Sequence, residues 1–457
     1  MISRNAHTWV WAVVLMLGCG AGDPEDSSAP DSDVGETGQP VETGDVETGT
    51  ADTANPDTAT PPDTGEPKKK KKEVLGPLII EQIHVTGDDI GEAALVIGPD
   101  GTTVLLDVGG ESHAAEVLEA VDHYLPSRDV DWVLLTHWHR DHLGAFVELF
   151  EPSEINSNDP IAVHQRVVSR GRYDLNADTV HESAYESTCQ ALYDDSWADI
   201  RLDLCEGTEE TACSLKGEDS PWPSTGCAGL KLGDLSTADD DADGALSHID
   251  LGDGASLTLV WANGYLALED EILMAADEGL SIGERTNENA RSIVGLIRWG
   301  DFTYIFGGDL TGRSPDAESF IVERSDRIVL PTGELAFPQG GTDVLHINHH
   351  GHNTATEQTW LGWATPDDGW DRNAVIGANR NYGPAVHQSV LNRLAAVVGN
   401  GAIWITEQGG AKSGHANAKV LDAAVVIQVS ESGGAYEIFS RAGETMSEPQ
   451  VYSSTPR

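Results

Sequence analysis

The densest chemistry in the chain lies in seven residues, Thr136-His137-Trp138-His139-Arg140-Asp141-His142. Three imidazoles and a carboxylate follow directly on an apolar stretch, Val130 to Leu135, which predicts a buried strand. Side chains two apart on an extended backbone point the same way, so His137 and His139 can grip one ion. The chain then turns into a helix near His142, which swings Asp141 and His142 toward a second ion. Neutral imidazole and carboxylate suit zinc, with manganese or iron as alternatives. Two such ions close together generate a hydroxide nucleophile near neutral pH and offset charge on substrate oxygens. A phosphorus or carbonyl centre is the electrophile this chemistry attacks.

The elements that must hold this cluster can be read along the chain. Strands are expected at Ile79 to Val85, Ala93 to Gly98 and Thr103 to Asp107, with Asp-Gly and Gly-Asp turns between them. A helix from Ser112 to Tyr124 precedes the strand into the cluster, and a helix from Leu143 to Phe150 follows it. A second series has strands at Ala255 to Trp261, Ser292 to Trp299, Phe302 to Phe306 and Asp343 to Asn348. It continues with a helix near Thr356 to Gly362, a strand at Ala374 to Gly377 and a helix at Pro384 to Val398. Two similar halves of this kind predict an α/β fold with two sheets between helical layers.

The ends suggest export. Arg4, an apolar stretch from Trp9 to Leu17 and Gly18-Cys19 read as a signal segment over 1–19, too short for a membrane span. Leu15-Met16-Leu17-Gly18-Cys19 resembles a bacterial lipobox, which makes Cys19 the lipidation site; a plain signal peptide is the other reading. Residues 20–72 form a tether of Asp, Glu, Thr, Gly and Pro that ends in Lys68 to Lys72. With scarcely any large apolar side chain it cannot offset its ordering entropy. The lysines read as a solvated hinge or as a contact with an anionic surface. These features predict an exported protein, held at a bacterial membrane or cell surface by lipid alone, or secreted.

Residues 73–457 are expected to form the catalytic domain. The chain carries a formal charge of −49; residues 1–72 hold 6 of its 27 Lys+Arg and 13 of its 76 Asp+Glu, so 73–457 carries −42. Proteins that grip duplex nucleic acid present a basic face. None is evident here, so a small or single-stranded phosphodiester fits better than a stable duplex partner.

The stretch from about 170 to 247 breaks the rhythm and reads as an insertion. It holds Cys189, Cys205, Cys213 and Cys227 within 39 residues. In an exported chain this predicts two disulfides in any of three pairings; a cysteine metal site would want a Cys-x-x-Cys, which is missing. The same stretch contains Asp239, Asp241 and Asp243 before Gly244, with Asp250 at the twelfth position. That is the start of a calcium loop without its closing Glu, and an acidic turn is the alternative.

Taken in order, the motifs resemble the metallo-β-lactamase superfamily, and within it the soluble domain of ComEC-type DNA-uptake proteins and related secreted hydrolases. Val85 to Ala93 is similar to that group's opening Val-Gly-Gln-Gly-Asp-Ala segment, and Leu105-Leu106-Asp107-Val108-Gly109-Gly110 to its Leu-Ile-Asp-x-Gly turn. The histidine cluster, Asn289-Ala290-Arg291-Ser292 and Phe306-Gly307-Gly308-Asp309 follow. Asp343 to His352, with its His349-His350-Gly351, and Asn379-Arg380-Asn381-Tyr382 with His387 close the series over roughly 79–410.

This resemblance implies an αββα sandwich holding two metal ions. It implies that Asp309 bridges both and that Asp107 organises the site by hydrogen bonds. One of His349 and His350 completes the second ion, leaving the other for substrate. His164, on the strand after the cluster, is placed to give the first ion a third histidine or to be a core histidine; His248 and His181 are weaker candidates. His352, His387, Asn353 and Thr354 are candidates to contact substrate or protonate the leaving group. The resemblance favours phosphodiester hydrolysis, of nucleic acid or a cell-envelope component. A β-lactam or lactone hydrolase and a non-catalytic surface module are the alternatives. No multi-span apolar region is present, so this chain alone is not an uptake channel.

Overall fold

The computed structural model describes residues 76–456 apart from 88–89, 172–181, 193–194, 198–199, 205–246, 269–271, 281, 283–287, 331–333, 338–340, 379–385, 399–401 and 408–415. Cys19, the tether and Lys68 to Lys72, His181, Cys205, Cys213, Cys227, Asp239, Asp241, Asp243 and the Asn379-Arg380-Asn381-Tyr382 motif lie outside the described residues. Among the described residues no helix is long and apolar enough to cross a membrane.

Among the described residues two ten-stranded sheets face each other. The first begins with β1 (Leu78–Gln82), β2 (Ala94–Ile97), β3 (Thr103–Leu106), β4 (Asp129–Leu135), β5 (Ala162–Ser169) and β6 (Arg201–Asp203), side by side in chain order. The second starts with β7 (His248–Gly252), β8 (Ala255–Ala262), β9 (Tyr265–Ala267) and β10 (Ile272–Met274). It continues through β11 (Val294–Trp299), β12 (Phe302–Phe306), β13 (Val344–His346), β14 (Asn373–Ile376), β15 (Ile403–Ile405) and β16 (Ala418–Val420). Its order is β10-β9-β8-β11-β12-β13-β14-β15-β16, with β7 on β8. The chain then returns to the first sheet. There β17 (Ala424–Val429) pairs antiparallel with β1, and β18 (Ala435–Ala442), β19 (Thr445–Met446) and β20 (Gln450–Ser453) extend that edge.

The period of two along each strand builds three apolar layers. On β4, Trp132 and Leu134 enter the core between the sheets, where they join Val104, Leu257, Ile297, Phe302 and Ile427. Val133 and Leu135 point the other way, toward α1 (Ala114–Tyr124), α2 (Arg140–Leu143), α3 (Phe146–Phe150) and α4 (Glu182–Leu192). Beyond the second sheet, α5 (Ala317–Val322), α6 (Gln358–Ala364) and α7 (Gln388–Val397) cover Leu296, Ile305, Leu345 and Ile376. The result is an αββα sandwich. Because the strand period is two, a one-residue slip of β4 would exchange its two layers and turn His137 and His139 around.

The structure departs from the sequence reading at three places. The helix expected over 143–150 is two short helices, α2 and α3, on either side of Gly144 and Ala145. The strands from Ala424 onward complete the first sheet from the C-terminal end of the chain, so the halves are interlocked rather than consecutive. The stretch from 170 to 247 contributes α4 and the edge strand β6 to the first half, with Tyr185, Cys189 and Leu192 in the core.

Candidate metal centre

The centre assembles where β4 of one sheet and β12 and β13 of the other end. After β4 the chain runs extended through His137 and His139, then starts α2, which carries Asp141 and His142 in its only turn. After β12 come Gly307, Gly308 and Asp309. Gly308 takes φ +50°, and a Cβ there would lie 2.6 Å from Thr136 Oγ1, so only glycine lets the two strand ends meet. After β13 the turn His349-His350-Gly351 places both histidines in the left-handed region, at φ 53° and 50°.

Two ligand sets result, and they share Asp309. His142 Nε2 lies 3.3 Å from His350 Nε2, 3.2 Å from Asp309 Oδ1 and 3.9 Å from Asp141 Oδ2. His350 Nε2 lies 3.2 Å from Asp141 Oδ2 and 3.5 Å from Asp309 Oδ1. Four donors at zinc bond lengths of about 2.0–2.1 Å around a tetrahedron sit roughly 3.3 Å apart, so this set fits one ion. On the other side His137 Nε2 is 3.1 Å from His139 Nδ1 and 3.7 Å from Asp309 Oδ2. Asp309 therefore offers one oxygen to each set. His350 is the inward member of its pair. His349 Nε2 lies 3.6 Å from Asp309 Oδ2 and 3.2 Å from Asn289 Nδ2.

Groups behind the rings fix their orientation. Asp107, itself at φ 53°, accepts from Thr136 N, Thr136 Oγ1 and His142 Nδ1, each at 2.7 Å. Behind His350 the ring nitrogen Nδ1 hydrogen-bonds to Gly377 O at 3.2 Å, with Glu92 Oε2 beside it at 3.3 Å. Glu92 also lies close enough to His142, Asp309 and His350 to serve as a further ligand of the same set. The other oxygen of Glu92 packs closely on His346 Nε2.

The electrostatics call for a cation. Burial alone would lower His142 and His350, yet Asp309 and its neighbouring carboxylates raise His142 well above the usual range and carry His350 up to about 9. Burial would raise Asp309, but His349, His142 and His350 hold it well below the carboxylate range. Burial would likewise raise Asp141, which His142 and His350 hold down. Burial keeps His137 low and takes His349 down to about 4, leaving neutral rings with a free lone pair. Nitrogen and carboxylate donors in two sets, inside a field that seeks positive charge, fit a pair of divalent metal ions.

The other expected residues fall into place unevenly. His164 does not reach the centre. It sits at the start of β5, paired 3.1 Å from Asp129 with its side chain 49 % exposed, whereas the cluster follows the far end of the neighbouring β4. It is neither a ligand nor a core histidine. The far end of β5 carries Arg170 instead, fully buried in a two-pronged pair with Glu288, at 2.6 and 2.7 Å. Glu288 also accepts from Trp138 N at 2.8 Å, so this pair braces the segment between the two first-ion histidines.

His352 and His387 stand on the rim. The His352 ring lies 4.8 Å from that of His349, and its Nδ1 2.9 Å from Thr354 Oγ1. His387 caps α7, and its backbone N–H donates to Gly351 O at 2.9 Å. His248 begins β7. Asp250, also on β7, is exposed and accepts from Gly252 N at 2.8 Å. Sequence reasoning gave no role to Glu92, Arg170, Glu288 or His346. Glu92 and His346 lay inside quoted motifs, but nothing local links Arg170 to Glu288 across 118 residues.

Comparison with known proteins agrees with this architecture. Residues 87–157 match the model of the metallo-beta-lactamase superfamily. The matched stretch runs from the opening strands through the histidine cluster and is in keeping with the two-sheet fold. Among solved structures the chain is similar to CmlA, a diiron beta-hydroxylase from Streptomyces venezuelae, with 14% identity and a TM-score of 0.28. That likeness covers 72% of this chain and 44% of CmlA, so the chain spans less than half the length of that protein. It is also similar to a HARLDQ-motif mutant of a metallo-beta-lactamase from Cronobacter sakazakii, with 13% identity over 68% of this chain and 90% of that one, at a TM-score of 0.26. A third is MEM-A1, a subclass B3 metallo-beta-lactamase isolated from a soil metagenome library, with 13% identity over 60% and 76% and a TM-score of 0.25. Likenesses this remote carry no chemistry over to this chain. No curated protein matches the sequence.

Proposed function

We propose that the protein is an exported, binuclear metal-dependent hydrolase that cleaves phosphodiesters. The observation that carries the reading is Asp309, whose two oxygens serve two separate ligand sets. Bound ions supply Lewis acidity and an acidified water. His137 and His139 hold one, and Asp141, His142 and His350 the other. Asp107 holds the ring of His142, and Gly377 O with Glu92 beside it that of His350, at the angle that points Nε2 inward. His349 and the Asn289 carboxamide lie together on the side of Asp309 Oδ2, where they can orient a substrate oxygen. His352 on the rim is placed to pass a proton to a leaving group.

The phosphodiester reading rests on the ComEC-like order of motifs. The charge of −42 on 73–457 favours a small or single-stranded substrate. Export rests on the signal-like 1–19 segment and Cys19, and Cys189 in disulfide form supports it. A calcium ion held by the 239–250 loop belongs to the same proposal.

The test is zinc content of purified 73–457 with turnover of bis-p-nitrophenyl phosphate, against His139→Ala. Two ions per chain and phosphodiester turnover lost in the variant are expected. Metal with turnover of a chromogenic cephalosporin or a lactone in its place would move the assignment to that class. A metal-free protein would leave a binding module.

A further inference from the structure

The loop that brings His349 and His350 to the centre holds an unfavourable backbone. His349, His350 and Thr356 all take left-handed φ, at 53°, 50° and 55°. Side chains other than glycine stay in that region only where the surroundings over-determine them. Both ends of this loop converge on one side chain. Glu318 on α5 is fully buried; its Oε1 accepts from Asn348 Nδ2 at 2.8 Å and from Thr356 N at 2.6 Å, and its Oε2 from Glu357 N at 2.8 Å. Asn348 directly precedes the two histidines, and Thr356 and Glu357 close the loop.

The backbone around Glu318 and the loop it holds are also tied to the turn that carries Asp309. Glu318 N donates to Thr311 O, and Gly312 N donates to Thr354 O at 3.0 Å. A Cβ on Gly312 would lie 2.2 Å from Glu318 Oε2, so that glycine leaves room for the carboxylate. We propose that Glu318 is a positioning residue, which clamps the His349–His350 loop against the Asp309 turn and thereby sets the affinity for the second ion. The proposal rests on the binuclear reading of the centre.

A purely structural role accounts poorly for a carboxylate here. Burial pushes its carboxyl up to about 7, and nearby Asp316 adds to the rise. The opposing influences are three neutral N–H donors, from Glu357, Asn348 and Thr356. A carboxyl oxygen can meet each of them, two on Oε1 and one on Oε2. The amide of a glutamine would turn its NH2 toward one of these donors.

The experiment strips the full chain of metal and titrates it with zinc, alongside Glu318→Ala, Glu318→Gln and Gly312→Ala, each checked for cooperative unfolding. Affinity for the second ion should fall roughly 10–100-fold in Glu318→Ala, the range for groups that orient metal ligands, while the first ion is held as in the wild type. Glu318→Gln keeps one acceptor oxygen and should fall between. Gly312→Ala displaces Oε2 and should repeat the selective loss even if Glu318→Ala fails to fold. Folded variants that take up both ions like the wild type, or weaken both alike, overturn the clamp alone. A wild-type chain that takes up no second ion overturns the binuclear reading and the clamp with it.

Discussion

The two halves of the centre are built to different standards. The second-ion set is the deeper: His142 and His350 are buried, only Asp141 reaches the surface in part, and each ring is held from behind, His142 by Asp107 and His350 by Gly377 O with Glu92 alongside. The first-ion set is looser. His139 is half-buried, no third histidine arrives from β5, and the brace behind it is the Arg170–Glu288 pair, which acts through the backbone of Trp138. A deeper, fully oriented set favours tight holding of an ion. A set with fewer protein donors leaves an open position, the usual arrangement where a metal works on a substrate. The difference assigns holding to one side and chemistry to the other.

Removing what the two sides share should do the most damage. Asp309→Asn keeps the shape but removes the bridging charge, so turnover should fall about 10³-fold or more, because a metal's charge stabilisation is worth several kcal/mol. A variant that retains two ions and near-normal kinetics would break the comparison at its centre. Arg170→Met removes the two-pronged partner of the buried Glu288 carboxylate, leaves it the more distant Arg291 at 3.8 Å, and should cost about 3 kcal/mol in denaturant unfolding. A cost near zero would mean that the pair does not brace the first side. Asp107→Asn should weaken the second ion about 10–100-fold in a chelator competition while sparing the first; equal loss from both sides would erase the proposed division.

A further effect concerns pH. Glu318 titrates at about 7 in the fold against a reference of 4.5. A raised carboxyl favours the folded state in acid, so its contribution is complete below about pH 4.5 and is lost as pH rises through 7, on the order of 3 kcal/mol. Glu318→Gln should therefore flatten the unfolding free energy between those limits relative to the wild type. Parallel curves for the two proteins would contradict the assignment.

What the sequence made legible follows from range. The cluster His137 to His142 needs only a strand, a turn and a helix start, all of which local pattern specifies. Asp309 and the His349-His350 pair were found through the resemblance of their motifs, Phe306-Gly307-Gly308-Asp309 and Asp343 to His352, to the metallo-β-lactamase superfamily. Which of the pair faces inward was not legible, since two left-handed residues in succession leave no periodicity to read. His164 misled for a physical reason: its apolar neighbours announced a strand correctly, but it falls at the wrong end of that strand, and composition says nothing of which end meets the cluster. Arg170–Glu288 and Glu318 were missed because their partners are distant in sequence. The last strands, β17 and β18, were overlooked because β17 pairs with β1, at the other end of the domain, and β18 builds on β17.

The central claim is two cation positions astride Asp309. Crystals of the zinc-loaded protein, with anomalous scattering recorded on either side of the zinc edge, test it most directly. Two peaks are predicted, one bounded by His137, His139 and Asp309 Oδ2, the other by Asp141, His142, His350 and Asp309 Oδ1. A single peak, or two peaks of which only one touches Asp309, would contradict the account.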